Sequence, residues 1–189
     1  MSGMPLHPLV VHFPIVLAVL FPISVAAALW AVRKGATPRR VWAVPVALGL
    51  SLTLSAWVAL ETGEDQEDRV EEVVGKSALH GHEEAAERFL VVAGVVTLVG
   101  VAGLARGTVG RAARLVTAAG TVGIVAAGIQ VGHSGGMLVY RHGAASAYTD
   151  PAVRGERSES RVDVPNRVAQ RGRREPRLRS DGGVDVAGE

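Results

Sequence analysis

Hydrophobic residues in this 189-residue chain fall into four long runs, at residues 9–32, 41–60, 85–105 and 112–132. A helix of about 20 residues crosses a hydrocarbon layer of about 30 Å, and each run has roughly that length. Every Asp and Glu lies either between Glu61 and Glu87 or after Tyr148, so acidic residues are segregated rather than spread over a soluble surface. We therefore predict an all-α fold in which residues 1–143 form a bundle of four transmembrane helices.

The polar segments divide into loops and a tail. The acidic stretch between the second and third runs predicts a short surface helix at residues 64–74, ended by Gly75. Residues 144–189 are rich in Arg, Ser, Gly, Asp and Pro and show no sustained apolar periodicity. That composition predicts a disordered C-terminal tail.

Composition favours helices that pack through small side chains. The chain has 23 glycines, and only 4% of its residues are aromatic. In the second run small residues recur at every fourth position, which predicts a face for close helix contact. Trp42 and Trp57 lie near the ends of this run, where tryptophans typically act as interfacial anchors. The small-residue face consists of Ala43, Ala47, Ser51, Ser55 and Ala59.

Cysteine is absent. This excludes disulfides, thiolate metal sites, cysteine-ligated iron–sulfur clusters and haem attached through a C-x-x-C-H motif. Any bound metal would need His, carboxylate or Met ligands. The formal charge is only +2, and the arginines are split between two short loops and the tail, so nucleic-acid binding is not expected.

Basic residues predict the orientation of the chain. The loops after the first and third runs carry Lys and Arg but no acidic residue, which is typical of cytoplasmic loops. Both termini and the acidic loop are then predicted outside the cytoplasmic (inner) membrane. The basic residues are Arg33, Lys34, Arg39 and Arg40 in the first loop, and Arg106, Arg111 and Arg114 in the second.

This orientation places all six histidines on the outer side. His12 is about one helical turn, or 5 Å, inside the first helix. His82 and His133 are at the outer ends of the third and fourth helices, so we expect these three to converge at one level of the bundle. His80 and His142 are near enough in the loops to join them, and His7 precedes the first helix.

Three motifs accompany the histidines: HPLVVHFP from His7 to Pro14, the pair Thr62 and Gly63, and GHSGGMLVYRHG from Gly132 to Gly143. With these motifs, residues 4–145 resemble a bacterial family of four-helix membrane proteins catalogued as a domain of unknown function. Some members of that family are joined to c-type cytochrome or Rieske-type domains. The resemblance therefore implies a redox-associated membrane protein.

Two histidines on different helices of a bundle are typical axial ligands of non-covalent b-type haem. We predict such a haem near the outer face, bound by His12 with His82 or His133, with His7 and His142 completing the site and Met137 as an alternative ligand. The expected function is electron transfer, with redox partner proteins at the outer face. Replacing His12 by Ala is then expected to abolish haem retention without preventing membrane insertion.

Two other interpretations remain open. One is a redox accessory that binds a Zn, Cu or Fe ion through imidazoles and carboxylates. The other is a membrane scaffold without a cofactor, in which the histidines cap helices or contact headgroups. The candidate ligands of the metal ion are His7, His12, His80, His82, Glu83 and Glu84.

Enzymatic and transport functions have less support. The GHSGG motif contains Ser134 beside His133 but lacks the G-x-S-x-G spacing of a hydrolase nucleophile, and HEEAA lacks the second His of a zinc-peptidase motif. The apolar runs offer few polar groups near the membrane midplane for a channel or transporter. We therefore expect a non-enzymatic electron-transfer or binding protein.

Overall fold

The computed structural model describes residues 6–65 and 67–146 of the chain, and in these residues it contains helices and no strand. Four helical segments, Leu6–Arg33, Pro38–Glu64, Lys76–Ala102 and Gly107–Tyr140, are long and apolar enough to cross a membrane. The predicted all-α fold with four candidate spans is therefore confirmed. The helices are α1 (Leu6–Val10), α2 (His12–Arg33), α3 (Pro38–Glu64), α4 (Glu67–Val74), α5 (Lys76–Ala102) and α6 (Gly107–Tyr140).

Proline shapes the entry of the chain into the bundle. Pro14 has no backbone N–H, and its ring clashes with the carbonyl of Val10 in a regular helix. The first segment is accordingly interrupted at Val11, between α1 and α2. His7 and His12 therefore lie on separate helical segments.

The four long helices form a ring. Contacts join α2 to α3, α3 to α5, α5 to α6 and α6 back to α2, while α1 packs on α3. Consequently α2 and α5 occupy one diagonal of the bundle. Phe21, Leu52 and Ile124 are fully buried in its core.

The outer surface of the bundle is apolar. Leu98, Val122 and Ile129 are each more than 65% exposed, although they lie well inside long helices. Water would not stabilise such a surface, whereas lipid tails would. The exposed apolar positions therefore agree with a multi-pass membrane protein.

One end of the bundle extends beyond the apolar runs. The 34 residues of α6 measure about 50 Å as a helix, against about 30 Å for a hydrocarbon core. The last turns of α6 pack with α4 and the start of α5 in a second apolar cluster that includes Val74, Leu79 and Leu138. We call this the histidine end, because His7, His82 and Ser134 lie there, and the opposite end, with Arg33 and Arg106, the arginine end.

The acidic segment contains the predicted short helix, at Glu67–Val74. It begins three residues later than expected, because α3 continues through Glu64. Gly75 ends it with a φ of 80°, a backbone conformation that favours glycine. The predicted disorder of the tail concerns residues 144–189, of which all beyond residue 146 lie outside the described residues.

Two expectations about α3 are wrong. Trp42 is fully buried and not an interfacial anchor, because Gly103, directly after α5, leaves room for its indole ring and the carbonyl of Gly100 accepts its N–H. Ala43 and Ala47 of the small-residue face are exposed. The bundle instead buries the face of α3 that carries Trp42, Pro45, Gly49, Leu52, Ala56 and Ala59.

Candidate histidine site

His7 joins α1 to the C-terminal end of α3. Its Nδ1 lies 2.8 Å from the carbonyl oxygen of Ala59, and the imidazole ring is half-buried. The ring lies so close to Gly63 that a Cβ built there would be 3.2 Å from Cε1 of His7. Thr62 donates its hydroxyl proton to the same turn of α3, at 2.9 Å from Val58 O. The Thr62–Gly63 motif therefore forms the surface on which His7 packs.

His82 makes an equivalent contact between α5 and α6. Its Nδ1 lies 2.9 Å from the hydroxyl oxygen of Ser134, and its ring is also half-buried. A Cβ built at Gly135 would be only 3.0 Å from Cε1 of His82, closer than real Cβ contacts normally allow. Ser134 and Gly135 of the GHSGG motif thus hold His82, which lies outside all three sequence motifs.

The hydrogen-bond partners bear on which nitrogen of each neutral ring carries the proton. A carbonyl oxygen only accepts, so Nδ1 of His7 must donate to Ala59. The hydroxyl oxygen of Ser134 lies 3.1 Å from Val131 O and 2.9 Å from Nδ1 of His82, and when its proton goes to Val131 it accepts from Nδ1 of His82. In both rings Nε2 then keeps its lone pair. Donation from Nδ1 to an oxygen acceptor, with Nε2 left for coordination, is the usual state of a metal-ligating histidine.

The two rings belong to one region of the molecule. His7 packs on the C-terminal end of α3, and His82 lies near the start of α5, which contacts α3. Among residues 6–65 and 67–146, neither Nε2 has a hydrogen-bond partner.

The other predicted site residues are more exposed. His12, His133 and His142 have exposed side chains, and Met137 is half-buried near the end of α6. His80 is 72% exposed, with its ring nitrogens 3.7 Å from Glu83 Oε2 and 3.4 Å from Glu84 Oε1. His7 and His82 are thus half-buried, whereas His12 and His133, which were expected to converge with His82, have exposed side chains.

The available side-chain ligands suit a bound metal ion and a bound haem to different degrees. In the part of the chain that the structure describes, no group of three or more His, Asp or Glu side chains is arranged to hold a metal ion. Haem iron needs only two axial ligands from the protein, and imidazole Nε2 atoms on two segments supply that chemistry. The paired histidines therefore fit b-type haem in ligand type and number.

Sequence reasoning missed a polar contact network at the arginine end. Arg114, expected in a loop, lies inside α6 and is only 8% exposed. Its Nη1 donates to Gly103 O at 2.6 Å, where α5 ends, and its guanidinium lies 6.0 Å from the ring centre of Trp42. No local signal in the sequence marks Arg114, since a spacing of three residues places it on the same helix face as exposed Arg111.

A second missed feature is an open groove of about 600 Å³ between α5 and α6. No histidine lines it, and none lines the smaller cavity beside Phe21 and Trp42. Exposed Glu87, Arg88 and Gln130 lie at its polar part. The remaining lining residues are Val91, Val92, Ala126 and Ala127.

Comparison of the chain with protein-family models, with curated proteins and with solved structures found no match. A functional assignment must therefore be argued from the geometry of the histidine end and from the chemistry of its residues.

Proposed function

We propose that this protein is a multi-pass protein of the cytoplasmic membrane that binds b-type haem through His7 and His82 and transfers electrons at the outer face. The observation that carries the proposal is the matched state of the two rings. Each is half-buried, each has Nδ1 at hydrogen-bond distance from an oxygen atom, and donation from Nδ1 leaves the lone pair of Nε2 for a metal. Bound haem would supply one-electron redox chemistry.

The protein's own contribution is to position and protect the ligands. Ala59 and Ser134 fix the tautomers of the two histidines, and a fixed tautomer avoids rearrangement when the ligand binds. Gly63 and Gly135 let the rings pack closely against α3 and α6, which restricts their rotation. The apolar helices limit access of water to this end from the membrane side.

The basic loops support the proposed orientation. Arg33, Lys34 and Arg39 flank one end of the bundle and Arg106 and Arg111 flank the same end, which the positive-inside rule assigns to the cytoplasm. The histidine end then faces outward, with both termini. A redox partner protein would dock there. This arrangement agrees with the redox association that the motif resemblance implies.

A cofactor-free scaffold is the second candidate, and one observation favours it. His7 links α1 to α3 and His82 links α5 to α6, so each histidine already has a structural role through Nδ1. In a scaffold, however, nothing requires both Nε2 atoms to remain available. The two candidates therefore differ in whether the purified protein holds haem.

The test is a reduced-minus-oxidised absorption spectrum of detergent-purified protein, expressed with ample haem supply. We expect a sharp low-spin b-type signal in the wild type. His7→Ala and His82→Ala should each lose that signal, whereas His133→Ala and His142→Ala, which change exposed histidines, should retain it. All variants should reach the membrane fraction in similar amounts.

His12→Ala distinguishes the two possible ligand sets. Since His12 is exposed, we expect this variant to keep its haem, in contrast to the expectation from sequence alone. Loss of haem in His12→Ala but not in His7→Ala would assign the ligand to His12. A wild type without haem, combined with lower thermal stability of His7→Ala and His82→Ala, would instead support the scaffold.

A further inference from the structure

The groove between α5 and α6 opens on the membrane-facing side of the bundle. Val91, which lines it, is 64% exposed, and Ala126 is exposed as well. Its volume of about 600 Å³ is in the range of small-molecule sites in proteins. A molecule dissolved in the bilayer would reach it without entering the core.

The packing of α5 on α6 shows how the lining residues are arranged. The side chain of Val96 contacts Gly120, and His82 contacts Gly135, as expected for antiparallel helices in steady register. In the same register Glu87 is level with Gln130, and Val91 is level with Ala126. The groove therefore has a polar rim toward the histidine end and an apolar floor toward the middle of the membrane.

The rim has a defined charge. Arg88 donates to Glu84 at 2.7 Å, so its positive charge is already paired. Among the described residues, Glu87 and Gln130 have no hydrogen-bond or ion-pair partner. An unpaired carboxylate at this depth is costly in a membrane protein and typically marks a functional position.

A phospholipid fits this rim poorly, because its phosphate would meet the carboxylates of Glu84 and Glu87. A neutral head group with hydroxyl donors fits well, since a hydroxyl donates to Glu87 and the amide of Gln130 both donates and accepts. The apolar floor of valine and alanine suits a flat ring and the start of a hydrocarbon chain.

We propose that the groove binds the head group of an isoprenoid quinol, with one hydroxyl on Glu87 and an oxygen of the ring on Gln130. The inference rests on the proposed function, since a quinol is the class of electron donor that is dissolved in the membrane. Glu87 is five residues from His82 on the same helix, or about 8 Å along its axis. The donor site would thus adjoin the haem ligand.

The experiment measures binding of a decyl-substituted benzoquinol to the full-length protein in lipid nanodiscs. A photoreactive azidoquinone then maps the contact by cross-linking and mass spectrometry. Ala126→Leu fills the floor and Glu87→Gln removes the acceptor charge, and each should weaken binding about tenfold. Ala47→Leu is the control, because it adds the same bulk at an exposed alanine of α3 and should change affinity less than about twofold.

Binding is also measured on the His7→Ala, His82→Ala double variant, so that the result does not depend on haem. Quinol binding without haem in any form of the protein would refute the proposed function and leave the groove assignment intact. Equal affinity of Ala126→Leu, Glu87→Gln and the wild type would overturn the assignment. Cross-links outside residues 87–92 and 126–130, or a co-purified phospholipid that the quinol does not displace, would also overturn it.

Discussion

The two ends of the bundle differ in how completely their buried polar side chains are hydrogen-bonded within the protein. At the arginine end, the indole N–H of Trp42 and the guanidinium of Arg114 are directed into the protein and bind the carbonyls of Gly100 and Gly103. At the histidine end, His7 and His82 use only Nδ1 for such bonds. The buried polar groups of one end thus form hydrogen bonds within the protein, whereas each imidazole at the other end has one nitrogen without such a bond among the described residues.

Burial follows the same division. Trp42 is fully buried and Arg114 nearly so, while both imidazoles are half-buried and the remaining histidines are exposed. A well-packed end resists change, and a half-buried site can admit a ligand. The comparison indicates that the arginine end is the more tightly packed of the two, and the proposed haem binding is assigned to the more open histidine end.

The largest expected effect concerns the packing of the arginine end. Trp42→Ala removes a fully buried side chain and the donor to Gly100, so we expect a loss of about 3–5 kcal/mol in the free energy of unfolding. Trp57→Ala is the control on the same helix, since Trp57 is 50% exposed, and should cost far less. Denaturation in mixed micelles measures both. Similar losses would contradict the central role of Trp42.

Arg114→Met should have an intermediate effect. Methionine keeps much of the apolar stem but leaves the carbonyl of Gly103, at the end of α5, without its charged donor. We expect a loss of about 1–3 kcal/mol in the free energy of unfolding. Arg111→Met removes the same charge from an exposed position and should change it by about 0.5 kcal/mol or less. If Arg114→Met is more stable than the wild type, the desolvation penalty of the buried charge is larger than the stabilisation by its contacts.

The sequence predicts the four helices well because their number and approximate position follow from apolar length. It predicts their ends less well. The helix α6 continues eight residues beyond residue 132, since a helical backbone satisfies its own hydrogen bonds and Leu138 packs against Val74 and Leu79. Such contacts between distant segments have no signature in local hydropathy.

The faces of the helices were also hard to predict. The pattern of α3 predicted that its small residues would be buried and that Trp42 would lie at the membrane interface. The bundle instead buries Trp42 and leaves Ala43 and Ala47 exposed. Trp42 is buried because Gly103, directly after α5, leaves space for it, and Ala43 is exposed because it lies about 100° further around α3. Which surface of an apolar helix faces its neighbours depends on the neighbours.

The candidate site shows the same limit. Sequence motifs identified the histidine end, but not which histidines turn inward. His7 and His12 are five residues apart, which places them on different faces of the first helical segment. His82 lies outside the motifs and contacts Ser134 and Gly135, which lie within one. The motif residues therefore predicted a contact surface, but not which histidines are half-buried.

The smallest expected effect compares two adjacent glycines of α6. A Cβ at Gly136 would meet nothing within 4 Å, so Gly136→Ala should stabilise the helix by about 0.5–1 kcal/mol. A Cβ at Gly135 would press on the ring of His82, so Gly135→Ala should not stabilise the helix in this way. The thermal midpoint of unfolding measures the difference.

The ring nitrogens of His82 provide a more direct measurement of the same contact. In Gly135→Ala the displaced ring should lose its hydrogen bond to Ser134, and the ¹⁵N chemical shift of Nδ1 should change, whereas Gly136→Ala should leave it unaltered. If haem is bound, Gly135→Ala should also broaden or weaken its spectrum. Identical behaviour of the two variants would show that close packing at Gly135 does not hold His82, and the histidine end would then lack the preorganised ligand that distinguishes it from the arginine end.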